Sequence, residues 1–122
     1  MYKSWLFALL ISLFFTKFAI AANTIEASKA PFHVGETLLV CGQATEVKKL
    51  TNRTVINFDK PYPNQPLAVI IWNSDTAGFE KKFGSLAGLE GAKVCAYGEI
   101  VDYKGGLEVI VKKDSYLRLM KN

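Results

Sequence analysis

The chain has 122 residues, half of them hydrophobic, with 15 Lys and Arg against 11 Asp and Glu and a formal charge of +4. That length suits one small domain, and the charge is below that of a strongly basic polyanion binder. A single histidine and two cysteines far apart in sequence exclude a Cys/His zinc cluster and a CxxC redox pair.

Residues 1–22 have the pattern of a secretory signal peptide. Lys3 supplies the positive start, Trp5 to Phe15 is apolar except for Ser12, and Ala19-Ile20-Ala21 is a small-x-small cleavage site. The apolar run is shorter than the ~20 residues of a spanning helix, and Lys17 interrupts its extension. A retained membrane anchor is the alternative. Cleavage near Ala21 or Ala22 leaves one domain, residues 23–122, in a secreted or periplasmic protein with no stable membrane insertion. Loss of Lys3 and Lys17 lowers the formal charge from +4 to +2. In an oxidising compartment Cys41 and Cys95 read as one disulfide, with two free buried thiols as the alternative.

Ala22 to Pro31 is small and polar apart from Ile25, and is expected along the surface or as a short helix. The first strand comes after Gly35 and occupies Glu36 to Lys48. Leu38, Val40, Gly42 and Ala44 fall on one side of it, and Leu39, Cys41, Gln43 and Thr45 on the other. Gly42 marks a bend or bulge where a sheet curls. The charged end, with Glu46, Lys48 and Lys49, reads as a solvated loop. The second strand is Arg53 to Phe58, with Ile56 and Phe58 inward and Arg53, Val55 and Asn57 outward.

Three prolines between Pro61 and Pro66 stiffen an extended loop. Leu67 to Trp72 is an unbroken apolar third strand whose inward face its period does not decide. Asn73-Ser74-Asp75 starts a short helix carrying Phe79 and Phe83 on one face and ending near Gly84. The fourth strand runs from Gly91 to about Asp102 and repeats the Val-Cys phrase with Gly98. Tyr103-Lys104-Gly105-Gly106 is a hairpin turn, Leu107 to Val111 the fifth strand, and Asp114-Ser115 the cap of a last turn carrying Tyr116, Leu117 and Leu119.

This order is that of an all-β protein with one short helix. It resembles the five-stranded Greek-key OB-fold barrel, with its helix between strands three and four. The phrases His33-Val34-Gly35-Glu36, Val40-Cys41-Gly42, Ile56-Asn57-Phe58, Pro61-Tyr62-Pro63-Asn64-Gln65-Pro66, Val69-Ile70-Ile71-Trp72, Val94-Cys95…Gly98 and Tyr103-Lys104-Gly105 resemble a group of small exported OB-fold proteins. The resemblance, which extends to anticodon-binding domains, implies nucleic-acid binding and does not imply catalysis.

In such a barrel the ligand lies on the outer face of strands two and three, held by the loops between strands one and two and between four and five. Lys48, Lys49, Arg53, Tyr103 and Lys104 fall in those loops. They either contact a phosphate backbone or are solvated loop residues whose field Glu46 and Asp102 partly cancel. Val55 stands where an aromatic platform would serve a single strand, Asn57 is placed to bond a base edge or a sugar hydroxyl, and Trp72 is either a stacking ring or core. Tyr62 is either exposed between its prolines or folded over the barrel end.

His33 reads as a turn residue, and the scattered carboxylates form no metal-binding spacing, so neither a cofactor nor an enzyme is expected. Asn52-Arg53-Thr54 meets the N-glycosylation pattern. The expectation is weak, largely sequence-independent binding of single-stranded nucleic acid. The alternative is an envelope interaction module whose proline loop contacts a protein partner or glycan.

Overall fold

The computed structural model describes residues 24–120. The expected signal peptide lies outside the described residues. Seven strands are present among these: β1 (Thr24–Glu26), β2 (Thr37–Lys49), β3 (Arg53–Phe58), β4 (Leu67–Trp72), β5 (Lys93–Tyr103), β6 (Gly106–Ile110) and β7 (Leu117–Met120). Among the described residues one α-helix, α1 (Thr76–Phe83), lies between β4 and β5. The five predicted strands are β2 to β6, and they close on themselves in the order β2-β3-β4-β6-β5, with β5 returning to β2. All neighbours are antiparallel except β4 and β6, which are parallel. This is the five-stranded OB-fold barrel with its helix between the third and fourth barrel strands.

Closure depends on two long strands that each serve both halves of the barrel. β2 pairs with β5 over Thr37–Gln43 and with β3 over Ala44–Lys49. Just past the changeover, between Ala44 and Glu46, the register shifts by a bulge. An extra residue reverses the in–out alternation of the remainder of the strand. Leu38, Val40 and Ala44 therefore point into the core before the bulge, whereas Val47 does so after it and Glu46 and Lys48 turn outward. Gly42 and Gly98 stand where no side chain fits. A Cβ on Gly42 would lie 2.9 Å from the Phe58 ring, and one on Gly98 would lie 2.7 Å from Val109 Cγ1.

The core is filled by Leu38, Val40, Ile56, Phe58, Leu67, Val69, Ile71, Val94, Ile100 and Val109 from the barrel strands. Phe79 of α1 and Leu86 and Leu89 of a later 3-10 turn pack into the same cluster. Burying a large apolar side chain stabilises by about 1.5–3 kcal/mol, so this cluster is the main favourable contribution to the fold.

Two expectations are corrected and two open readings are decided. The charged end of the first strand is ladder, not loop, because Val47, Lys48 and Lys49 pair with Ile56, Val55 and Thr54. The short helix is the 3-10 helix over Ala27–Phe32, and Thr24–Glu26 ahead of it adds a short strand, β1, parallel to β2. The C-terminal turn spans only Asp114–Tyr116, and Leu117–Met120 forms β7 against β5. Trp72 is not core. Register sends Leu67, Val69 and Ile71 inward, and Trp72, opposite Arg53, outward.

Cys41 and Cys95 are directly opposed on β2 and β5 and form a disulfide, with Cα atoms 4.0 Å apart. Both are buried, on the face turned away from the barrel core. No helix of the described residues is long and apolar enough to cross a membrane.

Candidate nucleic-acid interface

Period-two alternation on β3 and β4 builds the outer face of the barrel. Arg53 stands opposite Trp72, Val55 opposite Ile70, and Asn57 opposite Ala68. β2 adds Lys48 beside Val55 and Glu46 beside Asn57, and β6 adds Glu108 beside Ala68. A cleft of about 340 Å³ lies over this face, with Val55, Ala68 and Ile70 among its apolar lining and Lys48, Arg53, Asn57, Gln65 and Glu108 as its polar groups. A second cleft of about 630 Å³ shares Arg53, Tyr62, Gln65, Ala68 and Glu108 with the first and extends to Tyr103, Lys104 and the hairpin glycines. The two form one groove from β2 to the β5–β6 hairpin.

One carboxylate organises the near end. Glu46 Oε1 accepts hydrogen bonds from Asn57 Nδ2 at 2.8 Å and from the Tyr62 backbone N–H at 3.1 Å, and Lys48 Nζ lies 3.5 Å from Oε2. The Tyr62 N–H, then Asn57, then Lys48 hold its pKa below the ordinary 4.5. The proline loop is thereby fastened to β2, and the Asn57 amide is oriented. Asn57 faces outward as the alternation predicts, but lies beneath this clamp at 2% exposure. Tyr62 remains 67% exposed.

At the far end, Lys104 and Gly105 take φ values of 52° and 88°, the two positive values a tight hairpin turn requires. The Gly105 N–H donates to Asp102 Oδ1 at 3.0 Å. The Lys104 ammonium lies 5.3 Å from the centre of the exposed Tyr103 ring.

The structure brings Lys48, Arg53, Asn57, Tyr62, Tyr103 and Lys104 to one groove. Trp72 stands at its margin with the Arg53 guanidinium 5.6 Å over its ring. Lys49 does not join them. It is one residue out of phase with Lys48 and lines a separate hollow with Thr54, Thr76 and Glu80 on the helix side. Exposed rings are supplied by the proline loop and the β5–β6 hairpin and not by the strand floor, where Val55 stands as expected.

Glu46, Gln65 and Glu108 belong to the groove although nothing in their local sequence marks them. Glu108 is pushed above the ordinary 4.5 by burial, with Arg53 drawing it partly back. Among the described residues no three His, Cys, Asp or Glu side chains gather in a metal-binding group.

No family model and no curated protein matches the sequence. Solved structures with the same barrel include the Stn1–Ten1 complex of S. pombe, at 17% identity and a TM-score of 0.54, covering 75% of this chain and 68% of that one. The OBody AM1L10 bound to hen egg-white lysozyme matches at 13% identity and a TM-score of 0.59, over 85% of this chain and 99% of that one. Asparaginyl-tRNA synthetase from Pyrococcus horikoshii matches at 15% identity and a TM-score of 0.56, covering 83% of this chain but only 24% of the synthetase. At such identities the likeness is one of fold.

Proposed function

We propose that the chain is an exported OB-fold module, secreted or periplasmic, that binds single-stranded nucleic acid in the groove over β3 and β4 without catalysing a reaction. The observation that carries this reading is the convergence of Lys48, Arg53 and Lys104 with the exposed rings of Tyr62 and Tyr103 along one groove. Cations spaced along a groove suit a phosphate backbone, and a base stacked on an aromatic ring contributes about 1–3 kcal/mol. Most of the affinity is then independent of sequence and weak, because Glu46 and Glu108 stand among only three cations. An RNA-handling enzyme and the Stn1–Ten1 complex among the structural neighbours lend support. The disulfide suits an oxidising compartment.

Fluorescence anisotropy with labelled single strands at low and moderate salt tests the proposal. Binding that weakens steeply with salt supports it, and no binding even at low salt overturns it.

A second reading has its own observation. The proline loop is fastened by Glu46 yet displays Tyr62 to solvent, a pre-ordered contact that suits a protein partner or glycan of the cell envelope. A partner retained after nuclease treatment and lost in Tyr62→Ala would favour it.

A further inference from the structure

Three buried side-chain polar atoms have no hydrogen-bond partner among the described residues: Arg53 Nε, Asn57 Oδ1 and Gln65 Oε1. All three belong to residues lining the 340 Å³ cleft. An unpaired polar group shielded from water keeps its full desolvation cost, so their gathering at one place calls for a ligand. We propose that this cleft is a single-base recognition pocket, and that guanine is the base it takes. The inference rests on the strand-binding reading above.

The chemistry of the three atoms selects the base. Arg53 Nε can only donate, and a carbonyl oxygen can only accept. Asn57 cannot exchange its roles by turning its amide over, because Nδ2 already donates to Glu46 and the Tyr62 N–H holds that carboxylate in place. With Gln65 Oε1 turned inward as it stands, the three atoms are one donor and two acceptors. Guanine offers the complement, with adjacent N1–H and N2–H donors beside the O6 acceptor. Thymine and uracil carry one donor between two acceptors, and adenine and cytosine have a single donor group.

Val55, Ala68 and Ile70 give the ring an apolar floor, and exposed Tyr62 stands at the rim. The volume is at the small end of the ~300–1,000 Å³ of small-molecule sites, which suits one base. The three atoms are shielded as they stand, so the ring reaches them as the side chain of Tyr62, which belongs to the loop and not to the sheet, yields.

The test is anisotropy at fixed low salt with a labelled oligothymidylate of about ten nucleotides, compared with strands carrying one central guanine, adenine, cytosine or inosine. The guanine strand should bind about tenfold more tightly than oligothymidylate. Inosine, which lacks the N2 amino group, should lose most of that gain. Gln65→Met keeps the side-chain length without the acceptor, and should shrink the ratio of guanine-strand to oligothymidylate affinity below about threefold. Equal affinity for all strands, preference for another base, inosine equal to guanine, or an undiminished preference in Gln65→Met would each overturn the assignment and leave strand binding intact. Failure of every strand to bind would overturn strand binding itself.

Discussion

Lys48 and Lys49 are neighbours in sequence, yet one faces the groove and the other the helix side, and this difference separates a phosphate contact from a bystander. Each phosphate neutralised on a single strand adds about −0.7 to the slope of log affinity against log salt, so Lys48, Arg53 and Lys104 together predict about −2. Lys48→Ala and Lys104→Asn should each make that slope shallower by about 0.7, and Lys49→Ala should leave it unchanged. Asn is the choice at position 104 because it tolerates the left-handed backbone there. Glu108 works against the cations. Burial raises its carboxyl above the ordinary 4.5, so its negative charge is lost as pH falls through that raised value. Affinity for a single strand should therefore rise as pH falls through this window, and Glu108→Gln should bind more tightly at neutral pH with that rise flattened. The stability signs are opposite for the two groove carboxylates. The ionisation penalty of Glu108 is relieved as pH falls through its raised value, whereas the contribution of Glu46, present above 4.5, is lost as pH falls through its lowered one.

The strands are largely legible in the sequence because short apolar runs are punctuated by Gly and Pro, and because Gly42 and Gly98 mark the bends of a coiled sheet. Both glycines leave no space for a methyl group. Gly98→Ala should destabilise by about 1–3 kcal/mol in urea melts, and Val109→Ala in the same chain should recover part of the loss. The features that stay hidden in the sequence depend on single-residue phase. One extra residue between Ala44 and Glu46 reverses the alternation of β2, so Glu46 and Lys48 reach the groove face where unbroken alternation would bury them. Trp72 is ambiguous in the sequence because all six residues of its strand are apolar or aromatic, and only the pairing with β3 decides the inward face. Glu46 and Asn57 become neighbours through the bulged β2–β3 pairing, and the Tyr62 N–H joins them only when the proline loop folds back over β2. Their sequence separations of 11 and 16 give no local signal. β7 escapes a sequence reading because its four residues carry little periodicity, and β5 supplies the template for it.

At the scale of the whole molecule, the disulfide joins β2 to β5 at the seam that closes the barrel. Bridging a loop of 54 residues' separation constrains the unfolded chain by about 4 kcal/mol in the chain-entropy model. The double variant Cys41→Ala/Cys95→Ala should lose stability of that order in urea unfolding, and reductant should bring the parent chain toward the same midpoint. The groove lies on the β3–β4 face, away from this seam, so a variant that still folds should keep its strand affinity. That separation also defines where a ligand must be seen. Titrating an isotope-labelled sample with an unlabelled single strand, while monitoring backbone amide shifts, maps the contact directly. Shifts centred on Arg53, Asn57, Tyr62, Gln65, Tyr103 and Lys104 are the predicted result; shifts centred instead on Tyr97 and Tyr116 near the disulfide, or none at all, would contradict it.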